Sequence, residues 1–289
     1  MKKFLIINAD DCGMCHAANM ATFDLFEKGG ITSATIMTPC GWAPEALAYA
    51  KAHPEFAFGT HLTFTSEWKK YRWRPISRTC TDSLRDEYGL MHFHCDGFEA
   101  NAKADEVEAE IRAQIKFMQD LGVEPSHIDN HMGSLYGLEG FQNFLPLVLK
   151  ICAELGYAFR LPRKSHEERP AEFIEHLEKM CAIADEFNVP IIDYLWVHNF
   201  KGPQSESYES FRDYMYTRFE NCPEGIVETY IHPAVECDEL KNTSSLWRNR
   251  VWEYQLFADP ATRKHIEQNN IKLISYRDLA AARAELAAE

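Results

Sequence analysis

No stretch of this chain approaches the roughly 20 consecutive apolar residues that a helix needs to cross a bilayer. The apolar run after Lys2 and Lys3 stops at Asn8, too short for a secretory signal, so the expected location is the cytoplasm. Positive charge is scarce as well: 30 Lys and Arg stand against 44 Asp and Glu, a formal charge of −14. That sign argues against nucleic acid and anionic membranes as partners and leaves a neutral molecule such as a small carbohydrate open. No internal repeat, low-complexity tract or Pro/Gly-rich linker breaks the chain, and a single domain over residues 1–289 is expected. Nor do the cysteines form a framework. There are nine, an odd number scattered along the chain, which reads as reduced thiols. Cys12 and Cys15 make one C-x-x-C with no second copy to complete a zinc site, and read as two small residues in a tight loop.

What the chain does have is apolar material, 46% of its residues, arranged periodically. Residues 4–9, 32–37, 56–62, 126–131, 158–161, 191–197, 225–231 and 271–274 read as strands. Between them 17–28, 44–53, 104–121, 138–155, 171–187, 211–219 and 246–257 have helical spacing, and a last helix starts at Tyr276. Such alternation with right-handed crossovers predicts an α/β fold, a single (β/α) barrel of seven or eight parallel strands. The pattern fails only between about 63 and 103, where aromatic and charged residues crowd together. This stretch is expected to be a long loop inserted after strand three, over one face of the fold.

Asp10 and Asp11 close strand one side by side with no adjacent counter-charge, and a cation or a shared proton must relieve them. His61 ends strand three, and His127, Asp129 and His131 follow at spacing two through and beyond strand four. Arg160 and Arg163 end strand five, and His232 ends strand seven. Each alone has an ordinary structural role open to it. Together they fall at the carboxyl ends of strands, the rim where barrel enzymes build their sites. One Asp and two His make a catalytic metal site with open positions. Asp11, His61 and either His127 or His131 are the candidates, with Asp10 left as a base on metal-bound water. A base, a Lewis acid and a distant His acid suffice for amide or ester hydrolysis. Imidazole ligands favour zinc, with magnesium, manganese and cobalt as the other choices. The same ligands would also serve a non-haem iron oxygenase or a phosphoesterase, though Lys and Arg are sparse near the rim for the latter. A non-catalytic sugar-binding protein is a third alternative, and the presence of all five of Asp10, Asp11, His61, His131 and His232 counts against it.

Six segments carry a resemblance. They are Asn8-Ala9-Asp10-Asp11-x-Gly13, Gly30-Ile31-Thr32-Ser33-Ala34-Thr35, Gly59-Thr60-His61-Leu62-Thr63, Pro125-Ser126-His127-Ile128-Asp129-Asn130-His131, Ile231-His232-Pro233-Ala234 and Ser275-Tyr276-Arg277-Asp278. In order and spacing they span nearly the whole chain and resemble the YdjC-like carbohydrate deacetylases, chitooligosaccharide deacetylases among them. The resemblance implies a polysaccharide-deacetylase-like barrel with a divalent metal on Asp11, His61 and His131. It implies that Asp10 is the catalytic base and His232 the acid that protonates the departing amine. His127 and Asp129 then orient the His131 ligand, with Arg160 and Arg163 beside them, and Trp68 and Trp73 of the inserted loop are expected to stack on sugar rings. The reaction so implied removes an N-acetyl group from a small amino sugar or short oligosaccharide, releasing acetate. Two positions depart from the family's habit: Cys12 replaces the aromatic that commonly follows the Asp pair, and Met132, Gly133 and Ser134 stand where many members have further histidines. Both fall around the substrate pocket, so the identity of the sugar stays open, as does the oligomeric state, a homo-oligomer included.

Overall fold

The computed structural model describes residues 2–165, 168–198 and 200–288. Its elements run β1 (Lys3–Cys12), α1 (His16–Lys28), β2 (Ser33–Ile36), α2 (Ala43–Ala52), β3 (Ala57–Leu62), α3 (Cys95–Asn101), α4 (Ala104–Asp120) and β4 (Ile128–Asn130). They continue with α5 (Leu145–Leu155), β5 (Pro162–Lys164), α6 (Ala171–Glu186), β6 (Ile192–Trp196), α7 (Tyr208–Glu220) and β7 (Gly225–Ile231). The last are α8 (Asp238–Thr243), α9 (Trp247–Ala258), α10 (Pro260–Gln268), β8 (Ile271–Leu273) and α11 (Leu279–Ala287). Among the described residues, no helix is long and apolar enough to cross a membrane.

The strands pair in parallel in the order β4, β3, β2, β1, β7, β6, β5, and each is joined to the next in sequence by a helical crossover. β1 is buried from Phe4 onward, as its unbroken apolar run requires of a strand covered on both faces. β7 follows one edge of β1 from Lys3 to Ala9. The other edge is shared: β8 takes Lys3 to Leu5, and β2 takes over from Asn8. The two ends of the sheet meet through residues 158–160. Ile128 N donates to Ala158 O at 2.9 Å, Arg160 N to Ile128 O at 3.0 Å, and Phe159 N to Pro190 O at 3.0 Å. The fold is thus a single barrel of seven parallel strands with β8 as a short eighth.

Several boundaries differ from the sequence reading. The strand expected at 158–161 contributes only this bridge, and β5 begins at Pro162. The helix expected from Leu138 starts at Leu145, because Gly137 and Gly140 hold left-handed backbone (φ 67° and 84°) and Pro146 sits in the first turn. α10 was not anticipated, although Asp259 before Pro260 is a good start signal and its side chain caps Ala261 N. Residues 63–103 are not one loop: they contain a turn of 3₁₀ helix (Asp82–Leu84) and α3. Buried side chains of α4 pin this stretch. Glu110 accepts from the N–H groups of Ile76 (3.0 Å) and Ser77 (2.8 Å), and Gln114 grips both N (2.9 Å) and O (2.7 Å) of Thr63.

Candidate active site

On a regular strand neighbouring side chains point to opposite faces, so Asp10 and Asp11 could not share a site. The ladder from β1 to β2 jumps from Ala9 opposite Ala34 to Cys12 opposite Ile36, leaving one extra residue on β1. Within that bulge Asp11 adopts φ 62°, a left-handed conformation that Asp tolerates better than most residues. Both carboxylates therefore face one cavity of about 980 Å³ at the carboxyl ends of the strands.

Asp11 Oδ1 stands 3.4 Å from His61 Nε2 and 3.2 Å from His131 Nδ1, and this buried oxygen has no hydrogen-bond donor. One ligand atom from each of the three residues lies within 4.8 Å of the others. Two imidazole nitrogens and an undonated carboxylate oxygen fit a divalent cation, and these residues could hold one. Asp129 Oδ1 holds the far side of His61 at Nδ1 (2.7 Å), and Glu67 holds the far side of His131 at Nε2 (3.0 and 3.1 Å). Burial opposes charge on His61, but Asp129 and Asp10 outweigh it and lift its pKa to about 10. His131 is lifted to about 9 against the same burial, chiefly by Glu67. Asp11 is pushed up by burial yet held well below the usual carboxylate range by Arg250, whose Nη2 donates to Asp11 Oδ2 at 2.7 Å, and by the two imidazoles.

Asp10 is held by Arg160. The guanidinium donates to both carboxylate oxygens at 2.7 Å, and Asn8 Nδ2 adds a third bond to Oδ1 at 2.8 Å. The same Arg160 reaches Asp129 at 2.9 Å and Glu228 on β7 at 2.7 Å. One cation thus serves three buried carboxylates. Burial pushes Glu228 up to about 7, with Arg160 pulling the other way, and Tyr276 Oη donates to its second oxygen at 2.5 Å. His232, just past β7, also lines the cavity. Its N–H donates to the buried Glu253 of α9 at 2.8 Å, and burial pushes its imidazole down to about 4, with Asp11 opposing. Burial lifts Glu253 to about 8.

Four expected placements need correction, the first being Asp129, which holds the His61 ring at 2.7 Å and not that of His131. His127 does not orient a ligand: its Nδ1 bonds Ser126 Oγ at 2.9 Å and its ring stacks on Tyr276 at 3.7 Å. Burial pushes it down to about 3, so it is neutral. The ring sits where a Cβ on Gly59 would come within 2.7 Å of it, so the glycine makes its room. Arg163 is turned away, to Asp185 of α6 at 2.6 and 3.0 Å, because residues three apart along an extended chain face opposite sides. Trp73 is packed behind the site with its indole N–H on Thr65 O at 2.8 Å, whereas Trp68 does line the cavity. Cys12 and Cys15 are free and buried, and burial raises both thiols, Cys15 to about 11. Glu67, Glu228, Arg250 and Glu253 escaped the sequence reading altogether.

The family model described as YdjC-like protein matches residues 4–268. A carbohydrate deacetylase of Thermoanaerobacter pseudethanolicus is 27% identical over 275 residues, covering 95% of this chain and 98% of its own. A chitooligosaccharide deacetylase of Yersinia enterocolitica is 27% identical over 285 residues, covering 96% and 100%. A crystal structure from Enterococcus faecalis V583, of a protein whose proposed role is cellobiose-phosphate cleavage, matches with a TM-score of 0.77 at 27% identity. That match covers 96% of this chain and 99% of the other.

Proposed function

Since the chain belongs to the YdjC-like family, we propose that it is a metal-dependent carbohydrate deacetylase. It removes the N-acetyl group from a small amino sugar or short oligosaccharide and releases acetate. The observation that carries this reading is the convergence of Asp11, His61 and His131 beside an Arg-clamped Asp10 in one cavity. A divalent ion there, zinc by preference for imidazole, would supply Lewis acidity toward the acetyl carbonyl and lower the pKa of a bound water.

The chain's own residues account for the remaining requirements. A carboxylate offers about four lone-pair positions, and the bonds from Arg160 and Asn8 use three of those on Asp10. The one left, on Oδ2, is available to take a proton from water. The bidentate guanidinium fixes the plane of that carboxylate, so the base is aimed before substrate arrives. His232 is neutral near pH 7, so it serves as acid only after gaining a proton within the cycle, and a proton taken up by Asp10 is the natural source. Delivery to nitrogen matters because an amine anion leaves too poorly unaided. Trp68, largely buried in the cavity wall, would add apolar contact to a sugar ring bound there.

The test is direct. Metal-loaded protein is incubated with a panel of N-acetylated mono- and disaccharides and the acetate released is measured. Release from at least one member, lost on chelation, supports the reading; binding of an acetylated sugar with no acetate from any member, metal present, refutes it.

A further inference from the structure

We propose that Glu67 sets which nitrogen of His131 faces the metal, and so ties the wall formed by residues 63–94 to the metal site. The proposal rests on the metal-dependent reading above and deepens it.

A neutral imidazole carries its proton on one nitrogen and its lone pair on the other, and a partner at one fixes the role of the other. The two histidines are held in opposite senses. His61 gives Nδ1 to Asp129 at 2.7 Å and turns Nε2 to Asp11, whereas His131 gives Nε2 to Glu67 and turns Nδ1 to Asp11 at 3.2 Å. The Glu67 contact is nearly symmetrical, 3.0 and 3.1 Å to its two oxygens, so the ring is steered by the whole carboxylate. Among the described residues two groups of side chains are close enough to share a cation, Asp11 with His61 and His131 and Asp10 with His61 and Asp129, and Glu67 belongs to neither. Its influence on a metal therefore passes through His131, making it a positioning residue.

Glu67 does not come from the barrel. It lies in the stretch after β3, where Ser66 N bonds His92 O at 2.8 Å and Trp73 N bonds Ser66 Oγ at 2.9 Å. The next residue, Trp68, lies 5.8 Å beneath the guanidinium of Arg250, the cation that holds Asp11 at 2.7 Å. The wall thus reaches Asp11 by two routes, Glu67 through His131 and Trp68 through Arg250. A metal that fixes Asp11 and His131 fixes the wall as well.

The test reads metal grip, independent of any sugar. Zinc affinity is measured by competition with a chromophoric chelator for the parent, Glu67→Ala and Glu67→Gln, each checked for folding by its melting curve. Loss of such an orienting partner typically weakens metal affinity about 10–100-fold, which is expected for Glu67→Ala. Glu67→Gln, whose amide oxygen still accepts from Nε2–H, should recover part of that loss. Nitrogen-15 histidine spectra of the zinc-loaded parent should show His131 bound through Nδ1 with its proton on Nε2. Zinc should slow proteolysis within 63–94 in the parent and less so in Glu67→Ala. Parent-like affinity in Glu67→Ala, or His131 bound through Nε2, overturns the proposal. Where Glu67→Ala does not fold, the spectrum of the zinc-loaded parent decides: His131 bound through Nε2 overturns the proposal, and bound through Nδ1 with its proton on Nε2 supports it. Weaker zinc binding without acetate release in the sugar panel would remove the deacetylase reading and leave this one standing; the reverse pattern would do the opposite.

Discussion

Replacing Arg160 by methionine removes the one cation shared by Asp10 (2.7 Å), Asp129 (2.9 Å) and Glu228 (2.7 Å), all of them buried. Removing one partner of a buried ion pair costs about 3–5 kcal/mol, because the other charge is left uncompensated. At about 2.1 cal/mol/K per residue, a chain of 289 residues unfolds with an entropy of about 0.6 kcal/mol/K, so that loss lowers Tm by roughly 5–8 °C. The deficit should depend on pH. Glu228 has its folded pKa raised by burial to about 7, above the usual glutamate value of 4.5, so the folded state holds its proton more tightly. Its stabilising contribution is complete below the unfolded value and is lost as pH rises through the folded one. Without Arg160 the folded pKa rises further, and the loss extends to higher pH. Calorimetric melting of chelator-treated protein at about pH 5 and about pH 8 checks this, with the larger deficit expected at the higher pH. Adding Glu228→Gln should restore part of the loss at that pH. A Tm within about 2 °C of the parent at both values, or a deficit blind to pH, would refute the account of Arg160 as a shared counter-charge.

Asp10→Asn should cut acetate release at least about 100-fold while leaving zinc affinity within a few-fold of the parent, measured by turnover and chelator competition. His61→Ala or His131→Ala should abolish both, seen as zinc that washes out on gel filtration. Zinc affinity should climb with pH up to about 9–10, because metal must displace protons from imidazoles lifted to about 10 and about 9; titrations at several pH values would show it, and a flat profile would contradict it. Gly59→Ala should cost about 1–3 kcal/mol by chemical denaturation. Its Cβ would stand 2.5 Å from the His127 carbonyl, where β3 passes β4.

The alternation of strand and helix was legible because a strand buried on both faces is apolar for most of its length, as in Phe4–Ile7 and Ile226–Val227. The candidate metal group was legible because Asp11, His61 and the run from His127 to His131 stand at strand ends, and the family resemblance chose His131 over His127. Arg250 and Glu253 were not, since a charged residue inside a helix such as α9 reads as solvent-facing unless its partner, Asp11 or the His232 N–H, is known. Glu228 was hidden in the same way within an otherwise apolar strand, and Glu67 within a stretch lacking any period. The bulge at Asp10-Asp11 left no mark at all, because a single extra strand residue does not disturb the apolar run before it.

The divided edge of β1 has a consequence for how the molecule is made. The first strand leaves the ribosome long before its last partner: β8 and the Tyr276 that follows it emerge only after all the elements from α1 to α10 have been translated. At about 5–20 residues per second that delay is on the order of tens of seconds. Until β8 arrives, the edge at Lys3 to Leu5 lacks that neighbour, and His127 and Glu228, once made, lack the tyrosine that packs on one and bonds the other. A nascent chain stalled shortly before residue 271 is therefore expected to be a client for chaperones that shield unpaired strands.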